Sequence, residues 1–372
     1  MSAPAIVLAP PTDGFVLAQA CDDADVRALL RRSVIPGAVH VAFTREPDYF
    51  AGEALAGAVD RTLGYRQDGT LIGVARLSAH TLHHNGVPAR IGYFGELRLS
   101  PDATHAARVL RDGYAKLREY VLADALDGCF TSIASDNHRA RRVLEFGKRF
   151  GLPAYTPLAD LVTILLPVPR RHAQPDAQID GSTATRDELS AFFNQYAAEA
   201  QLTLTWDEAR WQALSAHGMD APNFCVVRRG TEIVAAAAVW DQRAFRQTVV
   251  VRYDGALRWS RPVVNVLSRA GLAPTLPREG SVLAQGAVFG ATVADNTHWP
   301  ALLRALRAEA TRRGLMWLVI ARDVKDTQLA ALRASGRRRE YHTRLYDVRW
   351  PDAPSVASWD TQRPFRPEVG LL

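Results

Sequence analysis

The chain has 372 residues, more than one hydrophobic core usually organises, so two domains are expected. Apolar residues make up 48% and charged residues 23%, an ordinary globular composition that excludes extensive disorder. The formal net charge is +6, and Lys116, Lys148 and Lys325 are the only lysines; a diffuse arginine excess of this size does not mark a nucleic-acid binder.

In chain order, residues 15–20 read as a short strand, and Asp22 or Asp23 caps a helix through Arg32. Residues 63–66 and 71–78 form a hairpin around Asp68 and Gly69, and a second turn at residues 83–86 leads into a strand over 89–99. Ser100 and Pro101 end that strand. Helical spacing follows over 106–122, with Val109, Leu110, Tyr114, Leu117 and Val121 on one face. A buried-type strand over 130–135, a helix capped at Asp136 or Asn137 and running to Phe150, and a strand over 161–166 complete the first half.

Proline, glycine and polar residues crowd residues 167–183, as in an interdomain linker. All eight tryptophans, from Trp206 to Trp359, follow it, so the halves have different core inventories. The second half repeats the order loosely. A helix starts at Asp187, a hairpin spans 224–227 and 233–240, and strands are expected over 247–253, 282–293, 315–321 and 341–350. Helices are expected over 297–313 and 327–335. Residues 259–280, one helix and a proline-containing loop, are an insertion found only in this half. The expected domains are 1–168 and 183–350, joined by a linker at 169–182 and followed by an extended tail at 351–372. The halves are expected to pack face to face, hiding apolar sheet edges.

Three scattered cysteines form no CxxC pair, and a reducing, cytoplasmic setting is expected. No lysine or arginine precedes the lipoprotein-like stretch at 17–21, and Pro10, Pro11 and Asp13 interrupt it, so no signal peptide is expected. The longest apolar run, 233–240, is too short to span a bilayer. His80 and His84 fall on one strand face and His83 on the other, with no acidic partner nearby in sequence, so no metal site is expected. GxSxG, GxGxxG and Walker motifs are absent.

Residues 93–101 (YFGELRLSP), followed by a helix and then residues 130–140 (FTSIASDNHRA), resemble the GNAT-type N-acyltransferase superfamily. Asn137 and Ala140 match that family's Asn-x-x-Ala helix start. The element order extends the resemblance over 14–168 and more loosely over 183–350. The implied fold is α/β (an α+β mixed sheet): two tandem GNAT-like domains, each a central, mostly antiparallel sheet flanked by helices.

The resemblance implies acetyl-CoA, or another acyl-CoA, as co-substrate, and a small-molecule or protein amine as acceptor. It places the cofactor along Leu97, Arg98 and Leu99, at the helix start Thr104, His105, Ala106 and Ala107, and at Asn137. A backbone N–H near 97–99 would polarise the thioester. Residues 102–107 contain no glycine where the family has Gln/Arg-x-x-Gly-x-Gly/Ala, and Asp102 adds a negative charge. Glu96 is the implied base, with an ion pair to a neighbouring arginine as the alternative. The family's tyrosine acid is replaced by Leu144, leaving Tyr114 or Tyr155 as substitutes. The expected activity is acetyl transfer to a primary amine. The alternatives are a non-catalytic acyl-CoA or ligand-binding module and a tRNA-dependent aminoacyl transferase, nucleic acid being the less expected partner. The chain is expected as a monomer or homodimer.

Overall fold

The computed structural model describes residues 13–57, 59–169, 184–269, 276–351 and 357–372. The expected linker lies outside the described residues except for Pro169, as does part of the expected tail.

In the first half, β1 (Gly14–Leu17) and α1 (Asp23–Arg32) are followed by two short strands, β2 (Val34–Ile35) and β3 (Val39–Thr44). Acids open α1 (Asp23, Asp25) and arginines close it (Arg31, Arg32), matching its dipole, while Val26, Leu29 and Leu30 are buried. A meander of β4 (Val59–Gln67), β5 (Thr70–His84) and β6 (Val87–Leu99) comes next. Both its turns have left-handed residue pairs, Asp68–Gly69 and Asn85–Gly86, whose twist suits a tight hairpin. Then come α2 (Ala106–Ala123), β7 (Gly128–Ala134), α3 (His138–Glu145) and β8 (Ala154–Pro167). The helix expected to reach Phe150 stops at Glu145 and continues as a 3-10 turn over Gly147–Phe150.

The second half contains α4 (Arg186–Ala197), α5 (Glu208–Ser215), β9 (Phe224–Arg229), β10 (Glu232–Trp240), β11 (Gln247–Tyr253) and α6 (Gly255–Arg269). It ends with β12 (Gln285–Val293), α7 (Trp299–Arg312), β13 (Trp317–Asp323), α8 (Gln328–Ala334) and β14 (Arg339–Arg349).

The halves meet edge to edge, not face to face. One 11-stranded sheet runs β1-β4-β5-β6-β7-β14-β8-β13-β12-β10-β9. Each half lends a strand to the other: β14 pairs with β7 and β8, and β8 pairs with both β14 and β13. This exchange satisfies the sheet edges that face-to-face packing would have had to cover. The main apolar cluster spans the join, bringing Ile91, Phe130 and Leu161 together with Trp206, Trp211, Phe289 and Phe365. Each such buried side chain contributes roughly 1.5–3 kcal/mol.

The strand at 247–253 does not extend the main sheet. β11 pairs with β3, which pairs with β2, as a separate three-stranded sheet built from both halves. The Gln247 amide locks this seam. Its oxygen accepts from Thr44 Oγ1 (3.0 Å) and the Glu46 N–H (2.9 Å), and its nitrogen donates to the Glu46 and Arg243 carbonyls. Among the described residues, no helix is long and apolar enough to cross a membrane.

Candidate active site

The β5–β6 ladder runs in register to Arg76↔Gly95 and resumes at Val74↔Arg98, so residues 96–97 form a bulge. Glu96 takes φ 54°, a left-handed value unusual for a residue with a side chain. The extra residue breaks the two-residue alternation of a regular strand, so Phe94, Glu96 and Arg98 do not share one face. Beyond it β6 leaves its parallel partner: pairing with β7 ends at Phe94↔Thr131.

A cleft of about 2420 Å³ opens at this divergence and crosses the join between the halves. Alternate residues of the sheet floor it, including Thr163 and Leu165 of β8, Trp317 and Val319 of β13, and Tyr341 and Thr343 of β14. Residues of the three-stranded sheet and of α6 line it as well, as do Val369, Leu371 and Leu372 from the tail.

Glu96 lies at the cleft wall in a charged cluster. Its carboxylate accepts hydrogen bonds from Arg45 Nε and from the Tyr49 hydroxyl (2.7 Å). Arg76 sits nearby, bound through two nitrogens to Asp60. Burial alone would raise the Glu96 pKa, but Arg45, Arg76, the Tyr49 hydroxyl and Arg246 together hold it down at about 2. The side chain is thus an ionised charge partner and, in this arrangement, a weak base. Its partner is Arg45, 51 positions away, rather than the adjacent Arg98, whose Nη1 donates to the Leu97 carbonyl. Sequence reading missed Arg45, Tyr49 and Arg246, which lie in or beside loops with no recognisable motif.

Leu97, Arg98 and Leu99 line the cleft, as do Ser100, Pro101 and Asp102. Thr104, His105, Ala106 and Ala107 are not among its lining residues. Thr104 instead donates from its N–H and hydroxyl to Gln67 Oε1, tying this loop to the β4–β5 turn, and His105 enters α2 with φ 52°. Asn137 lines the cleft and caps α3, its Oδ1 accepting from the Ala140 N–H (3.1 Å).

Tyr114 and Tyr155 reach the cleft from beneath, their hydroxyls hydrogen-bonded to each other. Burial pushes the Tyr114 phenol up to about 12, against the pull of the Tyr155 hydrogen bond. Leu144 also lines the cleft and is buried. The three histidines are dispersed: His80 Nδ1 lies 3.3 Å from Arg210, His83 faces the Thr203 carbonyl, and His84 packs edge-on against Trp359.

The second half repeats the divergence and fills it. The β10–β12 ladder shifts between Ala238↔Phe289 and Ala236↔Thr292, Gly290 has φ 64°, and β12–β13 pairing ends at Ala287↔Val319. Arg322 spans the gap, donating to the Ala291 and Ala321 carbonyls and to Gln328 Oε1. Glu368 of the tail accepts from the Gly290 N–H (3.1 Å), and Trp206 packs so closely on Gly290 that a Cβ would stand 2.9 Å from its ring.

No known protein family's profile and no curated protein matches the chain. Solved structures do. Saccharomyces cerevisiae N-myristoyltransferase with bound myristoyl-CoA superposes with TM-score 0.58 at 10% identity, over 97% of this chain and 86% of that one. A second structure of that enzyme, with myristoyl-CoA and inhibitors, gives 0.57 at 10% identity, over 98% and 87%. A GCN5-related glucosamine N-acetyltransferase region of a fungal multi-domain GH3 β-N-acetylglucosaminidase gives 0.54 at 14% identity; it covers 93% of this chain, which spans 39% of that protein. With its bulged strand, its diverging parallel pair and the repeat of both in the second half, the chain has the GNAT fold in tandem form.

Proposed function

We propose that the protein transfers an acyl group from acyl-CoA to a primary amine by direct attack, at the divergence of β6 and β7. The observation that carries this reading is the open cleft beside the Glu96 bulge. Strands that stop pairing at Phe94↔Thr131 leave the edge of β6 to be satisfied by a ligand.

The residues present fit a CoA thioester. Leu97, Arg98 and Leu99 would hold the pantetheine arm along the unpaired strand edge, and Arg98 and Arg139 at the same cleft supply positive groups for its phosphates. A bound thioester supplies an activated carbonyl and a thiolate leaving group. The protein's own part is to orient the amine against it and to exclude water. The N-myristoyltransferase neighbours, which bind myristoyl-CoA, support an acyl-CoA as co-substrate.

The first half, residues 1–168, takes the acyl-CoA; the second, 183–350, shapes the cleft, since Arg322, Glu368 and Trp206 occupy its own divergence. Acetyl is the first acyl group to test. A longer chain is the second reading, favoured by a cleft of about 2420 Å³ where small-ligand pockets typically measure about 300–1,000 Å³. Calorimetry with acetyl-CoA and myristoyl-CoA, followed by thiol-release assays against amine panels, tests both readings. Failure of both thioesters to bind at millimolar concentration ends the acyl-transfer proposal.

A further inference from the structure

The charged cluster around Glu96 brings together three guanidinium groups, Arg45, Arg76 and Arg246, and two carboxylates, Glu96 and Asp60. Arg45 is paired with Glu96, and Arg76 with Asp60. Arg246 is left over. It lines the cleft at the β10–β11 connection, and its one side-chain hydrogen bond among the described residues goes from Nη1 to the Gly370 carbonyl (3.2 Å). Burial and the neighbouring Arg45 and Arg76 push its pKa down to about 10, against the pull of Glu96, so it stays charged at neutral pH. A half-buried cation without a carboxylate is costly unless a ligand completes it. One leftover positive charge with a planar fork matches one carboxylate better than a phosphate dianion.

We propose that the acceptor is an amino-acid-type molecule whose carboxylate is bound by Arg246, with its amine lying toward Glu96. The proposal rests on the acyl-transfer reading and names its acceptor class. Arg246 and Glu96 interact across the cleft wall, so a zwitterion entering here meets a charge of opposite sign at each end.

The test compares free amino acids with their amides and decarboxylated amines in thiol-release assays, using wild type, Arg246→Gln and Arg246→Lys. Amino acids should be preferred roughly 10- to 100-fold in kcat/KM, the scale of one charged hydrogen-bond pair. Arg246→Gln should erase that preference through KM and leave acetyl-CoA affinity unchanged, and Arg246→Lys should restore part of it. Equal use of acids and amides by wild type overturns the proposal. So does a parallel loss of acetyl-CoA affinity in Arg246→Gln, which would make Arg246 a CoA ligand. If wild type binds no thioester, the acyl-transfer reading fails separately. Calorimetry of amino acids against amides then decides for Arg246 alone, and no difference between wild type and Arg246→Gln overturns it.

Discussion

Glu96 and Gly290 occupy the same step of two equivalent bulges, one in each half, with φ 54° and 64°. The left-handed conformation suits glycine and costs a residue with a Cβ about 1 kcal/mol or more. The first half tolerates that cost where the side chain anchors Arg45 and Tyr49 at an open cleft. The second half has glycine at the same step, and the space is filled by Trp206 and Glu368.

Glu96→Gln should lower stability more than it lowers CoA affinity, because it leaves Arg45 facing a neutral group. The folded-state pKa of about 2 lies below the ordinary 4.5, so the ionised side chain's contribution is complete above pH 4.5 and fades as pH falls toward 2. That contribution is on the order of 3 kcal/mol. Urea melts of wild type and variant should therefore differ clearly at pH 7, narrow below pH 4.5 and converge only near pH 2. A constant gap across that range would show that the carboxylate is not held by the arginines.

A carboxylate with a pKa of about 2 cannot readily accept a proton from an alkylammonium, whose pKa is about 10. An acceptor that enters as the ammonium must first lose its proton to water, and the attacking species is the neutral amine. Plots of kcat/KM against pH should rise to the pKa of each acceptor and shift when amines of different basicity are compared. An inflection fixed near pH 6–7 for every acceptor would point to a base on the protein.

Much of the scaffold was legible because its causes are local. Asp68–Gly69 and Asn85–Gly86 announce their turns, and Asp23 with Arg31 and Arg32 announces α1. Strand exchange was not legible, since β8 and β14 are ordinary apolar strands whose partners are chosen by long-range packing. The Glu96 bulge was marked only by Gly95 beside it, a weak sign inside a strand, and by Gly290 at the repeat-equivalent position. Arg45 and Arg246 reach Glu96 from loops distant in sequence, where no periodicity points to a common site.

Tyr114→Phe should leave thiol release within about threefold of wild type. A phenol near 12 is a poor donor to a thiolate, whose ordinary pKa is about 8.5. The lost Tyr155 partner should appear instead as a small fall in melting temperature, on the order of 1 kcal/mol. Leu144→Tyr should bring no gain, because water in the open cleft can protonate the leaving group. A 10²-fold loss in Tyr114→Phe would restore the tyrosine as an acid.

Gln247→Ala should loosen the seam between the halves. It removes an amide that satisfies the Thr44 hydroxyl, the Glu46 N–H and two carbonyls inside the protein. Stranding buried polar groups costs about 1–3 kcal/mol each, so a loss of several kcal/mol is expected, with hydrogen exchange rising first in β3 and β11. Unchanged exchange in those strands would show that apolar packing alone holds the seam.

Glu368 should give the protein a stability dependence of the opposite sign to that of Glu96. Burial raises its pKa to about 7, against Arg322, the Gly290 N–H and Arg210, which favour the charged form. The folded state therefore holds a proton that the unfolded chain, with an ordinary carboxylate near 4.5, has already released. Stability is highest below pH 4.5 as far as this group is concerned and declines as pH rises through 7. Glu368→Gln keeps an oxygen for the Gly290 N–H and removes the titration. The variant should match wild type near pH 4 and exceed it at pH 8, by on the order of 3 kcal/mol. A variant less stable than wild type at pH 8 would mean that Glu368 is ionised there and paired with Arg322 or Arg210, which would make the plug of the second divergence a salt bridge.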